Sequence, residues 1–196
     1  MVTIRDAVSD DRAAVVAMLG RAFADDPAMS YIFPDPLTRA ERLPRLFALL
    51  FDSDAVGMRL VSGTAEAATF WRRPGEAEVP ITAMLRQAIP LLATLGTALP
   101  RALRLAHAIE AHFPSEPFWY LHIAGVDPAR QGRGLGGASI RAGLVWCDAD
   151  GVPAYLETAT GSNVALYGRL GFELIREWSV PKGGPRFWSM IRPVGG

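Results

Sequence analysis

Apolar positions recur along this chain with two different periods, and the switches between them mark its elements. Val15, Met18, Leu19, Ala22 and Phe23 return at helical spacing and predict a first helix with one buried face. Ser9 stands where it can cap that helix, Asp10 and Asp11 sit at the positive end of its dipole, and Asp25-Asp26-Pro27 stops it. A second helix is predicted from about Arg39 to Asp52 with Leu43, Leu46, Phe47, Leu50 and Phe51 inward, so that Met29 to Pro34 becomes an aromatic connection. Ile81 to Phe113, rich in alanine and leucine and interrupted by Pro90, Gly96 and Pro100, predicts two more helices with a bent junction.

Period-two stretches predict the strands. Val2 to Arg5 is short; Met58 to Val61 and Ala67 to Trp71 form a hairpin turning near Ser62-Gly63. Glu173 to Val180 and Arg186 to Ile191 close the chain as an antiparallel pair around Lys182-Gly183-Gly184-Pro185. Trp119 to Val126 carries no charge and consists mainly of β-branched, aromatic and small residues, as a buried strand should, and Asp127-Pro128 ends it because proline removes a ladder donor. Pro153 to Thr160 follows after a helix and is therefore expected to run parallel to it. Ser162 or Asn163 is placed to cap the next helix.

Composition narrows the class. The 196 residues suit one domain over 1–196, half of them hydrophobic and a fifth charged. Twenty basic side chains balance twenty acidic ones, which argues against a nucleic-acid or anionic-membrane partner. The single Cys147 excludes an internal disulfide, fits a reducing cytoplasm and reads as a structural thiol beside Trp146. Met1 to Asp6 lacks the apolar core of a signal peptide, and Gln87 to Pro100 is short of the ~20 residues that cross a bilayer. His107 and His112, five apart, do not share a helical face, so no metal site is expected.

Chemistry concentrates between Trp119 and Gly137. Gly132, Gly134, Gly136 and Gly137 leave the backbone uncovered where a new helix presents unpaired N–H groups, and that combination selects a phosphate or pyrophosphate. Gly132-x-Gly134-x-x-Gly137 satisfies a dinucleotide fingerprint, with Glu157 about twenty residues on, which keeps open an NAD(P)-binding oxidoreductase. Against it, Asp127 to Gln131 separate the first glycine from the strand, and Glu157 lies inside its own strand. The same letters also read Gln131-x-x-Gly134-x-Gly136.

With that spacing the stretch resembles the coenzyme A loop of the GNAT superfamily of N-acetyltransferases. Asn163, Ala165-Leu166-Tyr167 and Leu170-Gly171-Phe172 resemble the last helix and following strand of that superfamily. Within it the chain is similar to the puromycin N-acetyltransferase-like proteins. The shared pieces include Ala22-Phe23-Ala24-Asp25, Glu116-Pro117, Gly151-Val152-Pro153-Ala154, Leu156-Glu157-Thr158, Val180-Pro181 and Gly184-Pro185-Arg186. The resemblance implies an α/β (α+β) fold with a mixed central sheet of about seven strands and helices on both faces. It also implies acetyl-CoA as cosubstrate, no metal, and a primary amine of a small molecule as acceptor, antibiotic aminonucleosides included. A non-catalytic acyl-CoA sensor is the other reading, and the oligomeric state is not addressed.

The same resemblance assigns positions. Residues 117–175 become the acetyl-CoA half, and the helices of 10–52 and 81–113 the acceptor side. Main-chain groups of Ala124 and Val126 would meet the thioester and pantetheine, and the amides of Gln131, Gly132, Arg133, Gly134, Leu135, Gly136 and Gly137 the pyrophosphate. Asn163 would cap its helix or touch the pantetheine. Tyr167 takes the general-acid position, a phenol with pKa near 10 being suited to protonating a thiolate. Asp25, Asp26 and Tyr31 border the acceptor, with Phe33 and Trp119 as aromatic neighbours. Histone-type members place their base where this chain has Tyr120. Glu157, a lone acid in an apolar strand whose burial would raise its pKa, is the alternative base, or else an arginine's partner. His122, on the face of Tyr120, would relay a proton or simply belong to the core.

Overall fold

The computed structural model describes residues 3–77 and 81–196, the side chains of residues 81–86 excepted. In chain order it contains β1 (Ile4–Asp6), α1 (Arg12–Ala22), α2 (Pro27–Ile32), α3 (Pro36–Ser53), β2 (Met58–Ser62), β3 (Ala67–Arg72), α4 (Ile81–Leu95) and α5 (Leu99–Glu110). There follow β4 (Trp119–Val126), α6 (Leu135–Asp150), β5 (Ala154–Thr158), α7 (Ser162–Gly168), β6 (Glu173–Ser179) and β7 (Arg186–Arg192). One seven-stranded sheet has the order β1-β2-β3-β4-β5-β7-β6. Only β4 and β5 run parallel, joined through α6 as the sequence requires.

Two features of the sheet position the site. β4 and β5 pair only at Trp119↔Ala154 and Tyr120↔Tyr155, so beyond Tyr120 they diverge and open the sheet at its centre. Across β3 the register passes from Phe70↔Ile123 to Trp71↔Leu121, which leaves His122 as the extra residue of a bulge. The bulge reorients the strand. Ile123 joins Val61, Ala68 and Phe70 under α1 and α3, whereas Trp119, Leu121 and Trp71 pack with Ile140 and Leu144 of α6. The Val, Ile, Leu and Phe side chains among them each contribute roughly 1.5–3 kcal/mol on burial. Gly125 lets α1 approach: a Cβ there would lie 2.4 Å from Leu19 Cδ2.

Several local expectations need correction. Met29 to Ile32 is helical and not a connection, because Asp26 caps α2 by accepting N–H groups of Ala28 (2.9 Å) and Met29 (3.0 Å), with Pro27 at its first turn; only Phe33 and Pro34 remain outside it. Ser9 does not cap α1; Ser9 to Asp11 form a 3-10 turn, and the Asp11 carboxylate takes the Val8 N–H at 2.9 Å. The two expected helices of Ile81 to Phe113 are present, with their bent junction at Gly96 to Ala98, where Gly96 has φ +49°, and with Pro90 inside α4. Val2, the expected start of β1, lies outside the described residues.

Candidate active site

The loop after β4 is shaped by local hydrogen bonds that leave its amides free. Asp127 accepts the Ala129 N–H at 2.9 Å and pairs with Arg21 at 2.5 Å, fixing the turn Pro128–Arg130. Gly132 and Gly134 then adopt φ +75° and +76°, which a side chain would strain. The first backbone bond of α6 runs from Ala138 N to Gly134 O, and among the described residues no amide from Gln131 to Gly137 donates to a protein acceptor. These N–H groups stand at the positive end of a 16-residue helix. The donor set fits a diphosphate.

A groove of about 690 Å³ runs from this loop along the exposed end of β4. Ala124, Gly125 and Val126 line it, as do Gln131, Gly132, Gly134, Leu135, Gly136 and Gly137, with Asn163 and Tyr167 from α7 and Asp25 and Asp26 from the α1–α2 corner. Arg133 does not line it; its side chain is exposed, so only its amide belongs to the loop. Asn163 makes no side-chain cap, nor does Ser162, because Gly161 occupies the cap position and the Asn163 N–H bonds Thr160 O at 2.9 Å. The Asn163 side chain is thereby left to the groove.

Tyr167 is buried, its ring 5.9 Å from that of Phe172, and its hydroxyl makes no hydrogen bond among the described residues. Burial, reinforced by the charge of Asp26, pushes the phenol up to about 12. It therefore holds its proton at neutral pH. Asp26 is itself raised by burial, against the two cap amides that favour its charge.

The opposite face of the divergence carries a second set of groups. Tyr120, Tyr155, Phe113 and Phe118 form an aromatic cluster, with Phe113 and Tyr120 centroids 5.1 Å apart. Glu157 stands beside Tyr120 and Tyr155 with Oε1 sealed from solvent and unpartnered. Burial pushes its carboxyl up to about 8, although the two phenols favour the charged form. No arginine pairs with it among the described residues. Nor does Glu157 line the groove, so the ribose-binding acid of the dinucleotide reading is missing there.

His122 also stands outside the groove lining and is held by a partner that sequence inspection missed. Its Nδ1 lies 2.6 Å from Asp54 Oδ2, and Asp54 Oδ1 accepts Arg72 Nε at 2.8 Å. Asp54 follows α3 as the last acid of Asp52-Ser53-Asp54, an ordinary helix ending by its letters, and nothing local marks it as buried. Tyr31 does not reach the groove; its hydroxyl accepts from Arg104 at 2.9 Å and ties α2 to α5. Phe33 is core, and Trp119 faces α6, donating to Asp150 at 3.0 Å, so neither lines the groove. His112 stacks on Trp178 with centroids 4.0 Å apart.

Residues 95–172 match the sequence model described as the acetyltransferase (GNAT) family. Three solved structures share the fold along nearly the whole chain. A histone acetyltransferase HPA2 and related acetyltransferase from Corynebacterium glutamicum is 24% identical, with TM-score 0.76 over 100% of this chain and 97% of that one. A polyamine N-acetyltransferase of Drosophila melanogaster is 16% identical, with TM-score 0.58 over 98% and 100%. A GNAT family acetyltransferase of Brucella melitensis, determined with acetyl-CoA, is 19% identical, with TM-score 0.53 over 100% and 90%. The seven-stranded mixed sheet flanked by helices is thus the GNAT fold, and residues 95–172, which hold β4, the glycine loop, α6, β5 and α7, are the part that matches the GNAT family model.

Proposed function

We propose that this chain, built on a GNAT acetyltransferase domain, transfers acetyl from acetyl-CoA directly to the primary amine of a small molecule, with Tyr167 as general acid and Glu157 as the base. The observation that carries the reading is the run of unpartnered amides from Gln131 to Gly137 at one end of the groove that Tyr167 lines. Those amides hold the diphosphate, and Ala124 and Val126 offer main-chain groups along the pantetheine as an added strand would receive them. Bound acetyl-CoA supplies the activated thioester. The chain supplies a proton at Tyr167 for the departing thiolate and takes one from the ammonium at Glu157. Residues 117–175 form the cosubstrate half, and the α1–α3 and α4–α5 helices face the acceptor.

The small-amine acceptor is supported by the aromatic and acidic groups around Tyr120 and Glu157 and by the polyamine-acetylating neighbour from Drosophila. The puromycin-like segments, from Ala22-Phe23-Ala24-Asp25 to Gly184-Pro185-Arg186, favour an aminonucleoside. Zero net charge supports the absence of a nucleic-acid or membrane partner, and the lone buried Cys147 supports a reducing cytoplasm. Release of free CoA over a panel of puromycin, other aminonucleosides, polyamines and peptide amines tests the proposal. Turnover with puromycin establishes the subtype. Binding of acetyl-CoA without release of CoA from any amine would make the chain a sensor, and quenching of NAD(P)H fluorescence in place of acetyl-CoA binding would restore the dinucleotide reading.

A further inference from the structure

An amine that arrives as ammonium loses two protons on its way to an amide, and the reading above gives the chain one acceptor for them. Resting on that reading, we infer that Asp54 is a positioning residue that holds His122 in its Nδ1–H tautomer, so that His122 Nε2 takes the second proton shed by the acceptor nitrogen.

The geometry begins with Asp54, whose side chain is 1% accessible and whose oxygens both have partners. Oδ1 accepts the Arg72 Nε–H at 2.8 Å, and Arg72 is anchored in turn by a bond from its Nη1 to Ala77 O at 2.9 Å. Oδ2 faces His122 Nδ1 at 2.6 Å. His122 and Arg72 hold the carboxyl below its usual range despite burial. An ionised carboxylate only accepts, so Nδ1 must carry the hydrogen and the ring lone pair falls on Nε2. Nε2 has no protein partner among the described residues, is not among the sealed atoms, and belongs to a side chain that stays 16% accessible.

The bulge makes this placement possible, because His122 is the residue that β3 leaves unpaired. It lies two positions before Ala124 and turns toward Tyr120, with ring centroids 5.4 Å apart, and Tyr120 in turn stands beside Glu157. The groups around the imidazole are therefore Asp54 from the turn after α3, Arg72 from β3, and Tyr120 with Glu157 behind it. Arg59 of β2 faces Asp54 from beyond. Burial first, and then Arg72, push the imidazolium down against the pull of Asp54, so the ring is neutral near pH 7. Breaking a buried charge pair is costly, and a packing role alone is served as well by apolar residues of similar size.

The step balances. Glu157 takes the first proton, and the nitrogen lone pair forms the C–N bond to the thioester carbon. Nε2 takes the second proton from that nitrogen as the C–S bond breaks with its electron pair on sulfur. Tyr167 protonates the sulfur, His122 returns a proton to Tyr167 through solvent, and Glu157 loses its own to water.

The test measures kcat/KM by CoA release with puromycin and spermidine from pH 5.5 to 9, for wild type, His122→Gln, Asp54→Asn and Asp54→Glu. Acetyl-CoA Kd is followed by calorimetry and the His122 tautomer by ¹⁵N NMR of the free protein. Wild type should show the Nδ1–H form and a log profile of slope one below the Glu157 titration, steepening to two below that of His122. His122→Gln and Asp54→Asn should each lose about a hundred-fold, keep the acetyl-CoA Kd, and keep slope one throughout, with Asp54→Asn moving the hydrogen to Nε2. Asp54→Glu should restore part of the loss. An Nε2–H ring in wild type, or a loss below threefold in His122→Gln, overturns the inference. His122→Gln leaves the Asp54–Arg72 pair intact, so it decides the matter even where Asp54→Asn fails to fold. No CoA release from any amine removes the acyltransferase reading and the role of Nε2 with it, whereas normal turnover with an Nε2–H ring removes the role of Nε2 alone.

Discussion

On the groove side of the divergence between β4 and β5, the available polar groups are mostly backbone: unpaired amides from Gln131 to Gly137 and the main chain of Ala124 to Val126. On the opposite side they are side chains brought from separate elements: Asp54 after α3, Arg72 from β3, Tyr120 and His122 from β4, and Tyr155 and Glu157 from β5. A backbone site must be kept bare, and bareness is written locally as glycine. A side-chain site demands only that the right groups converge, and it leaves no spacing behind. The contrast extends to electrostatics. The groove presents fixed dipoles suited to an anion, while the opposite side buries groups whose charge depends on pH.

The largest expected effect sharpens this contrast where the two sides meet. Tyr167→Phe should lower kcat by about 10²–10³ with the acetyl-CoA Kd unchanged, because in the proposed reaction the phenol gives a proton and does not hold the carrier. Single-turnover kinetics with calorimetry would check it, and an unchanged kcat would remove Tyr167 from the mechanism.

Glu157→Gln comes next, at about a hundred-fold in kcat/KM above pH 8, with loss of the limb near that pH. Its effect on stability should have the opposite sign. The folded carboxyl is raised from 4.5 to about 8, so the folded state binds the proton more tightly than the unfolded chain does. Stability contributed by that proton is complete below 4.5 and falls as pH rises through about 8, at roughly 1.4 kcal/mol per unit within the window. The Gln variant should therefore melt higher than wild type at pH 8.5 and no higher at pH 4, as thermal scans at both would show.

On the groove side, Gly134→Ala should raise KM for acetyl-CoA about tenfold with little change in kcat. Its φ of +76° costs a side chain roughly 1 kcal/mol and displaces the amides around it. Equal losses with Gly134→Ala and Glu157→Gln in acetyl-CoA affinity would erase the distinction between the two sides. The smallest effect belongs to Tyr31→Phe, which removes the hydroxyl that Arg104 reaches at 2.9 Å and should cost about 1 kcal/mol of stability. Acetyl-CoA KM should stay within twofold.

Particular residues show how much could be read in advance. β4 was legible to the residue, since an uncharged run ending in Asp127-Pro128 has few alternatives, and the parallel β5 follows from the intervening helix. α2 was not, because its helix depends on an Asp26 cap and tertiary support rather than on periodicity across six residues. Ser9 and Asn163 look like caps by type, yet a 3-10 turn and Gly161 take those positions. Tyr31, Phe33 and Trp119 are aromatic near the right segments, but aromatics also build cores, and these three face elsewhere.

By itself, then, the amino-acid order determined every longer element, the parallel β4–α6–β5 unit and the bare glycine loop, because propensity, proline breaks and glycines act over a few residues. Only the tertiary structure decided that β4 and β5 part after Tyr120, that His122 is the bulged residue, and that Asp54 returns across 68 positions to hold it. Those outcomes depend on register and on the packing of α3 against the sheet. Such long-range balances are set by the whole core at once, and no single stretch of the chain encodes them.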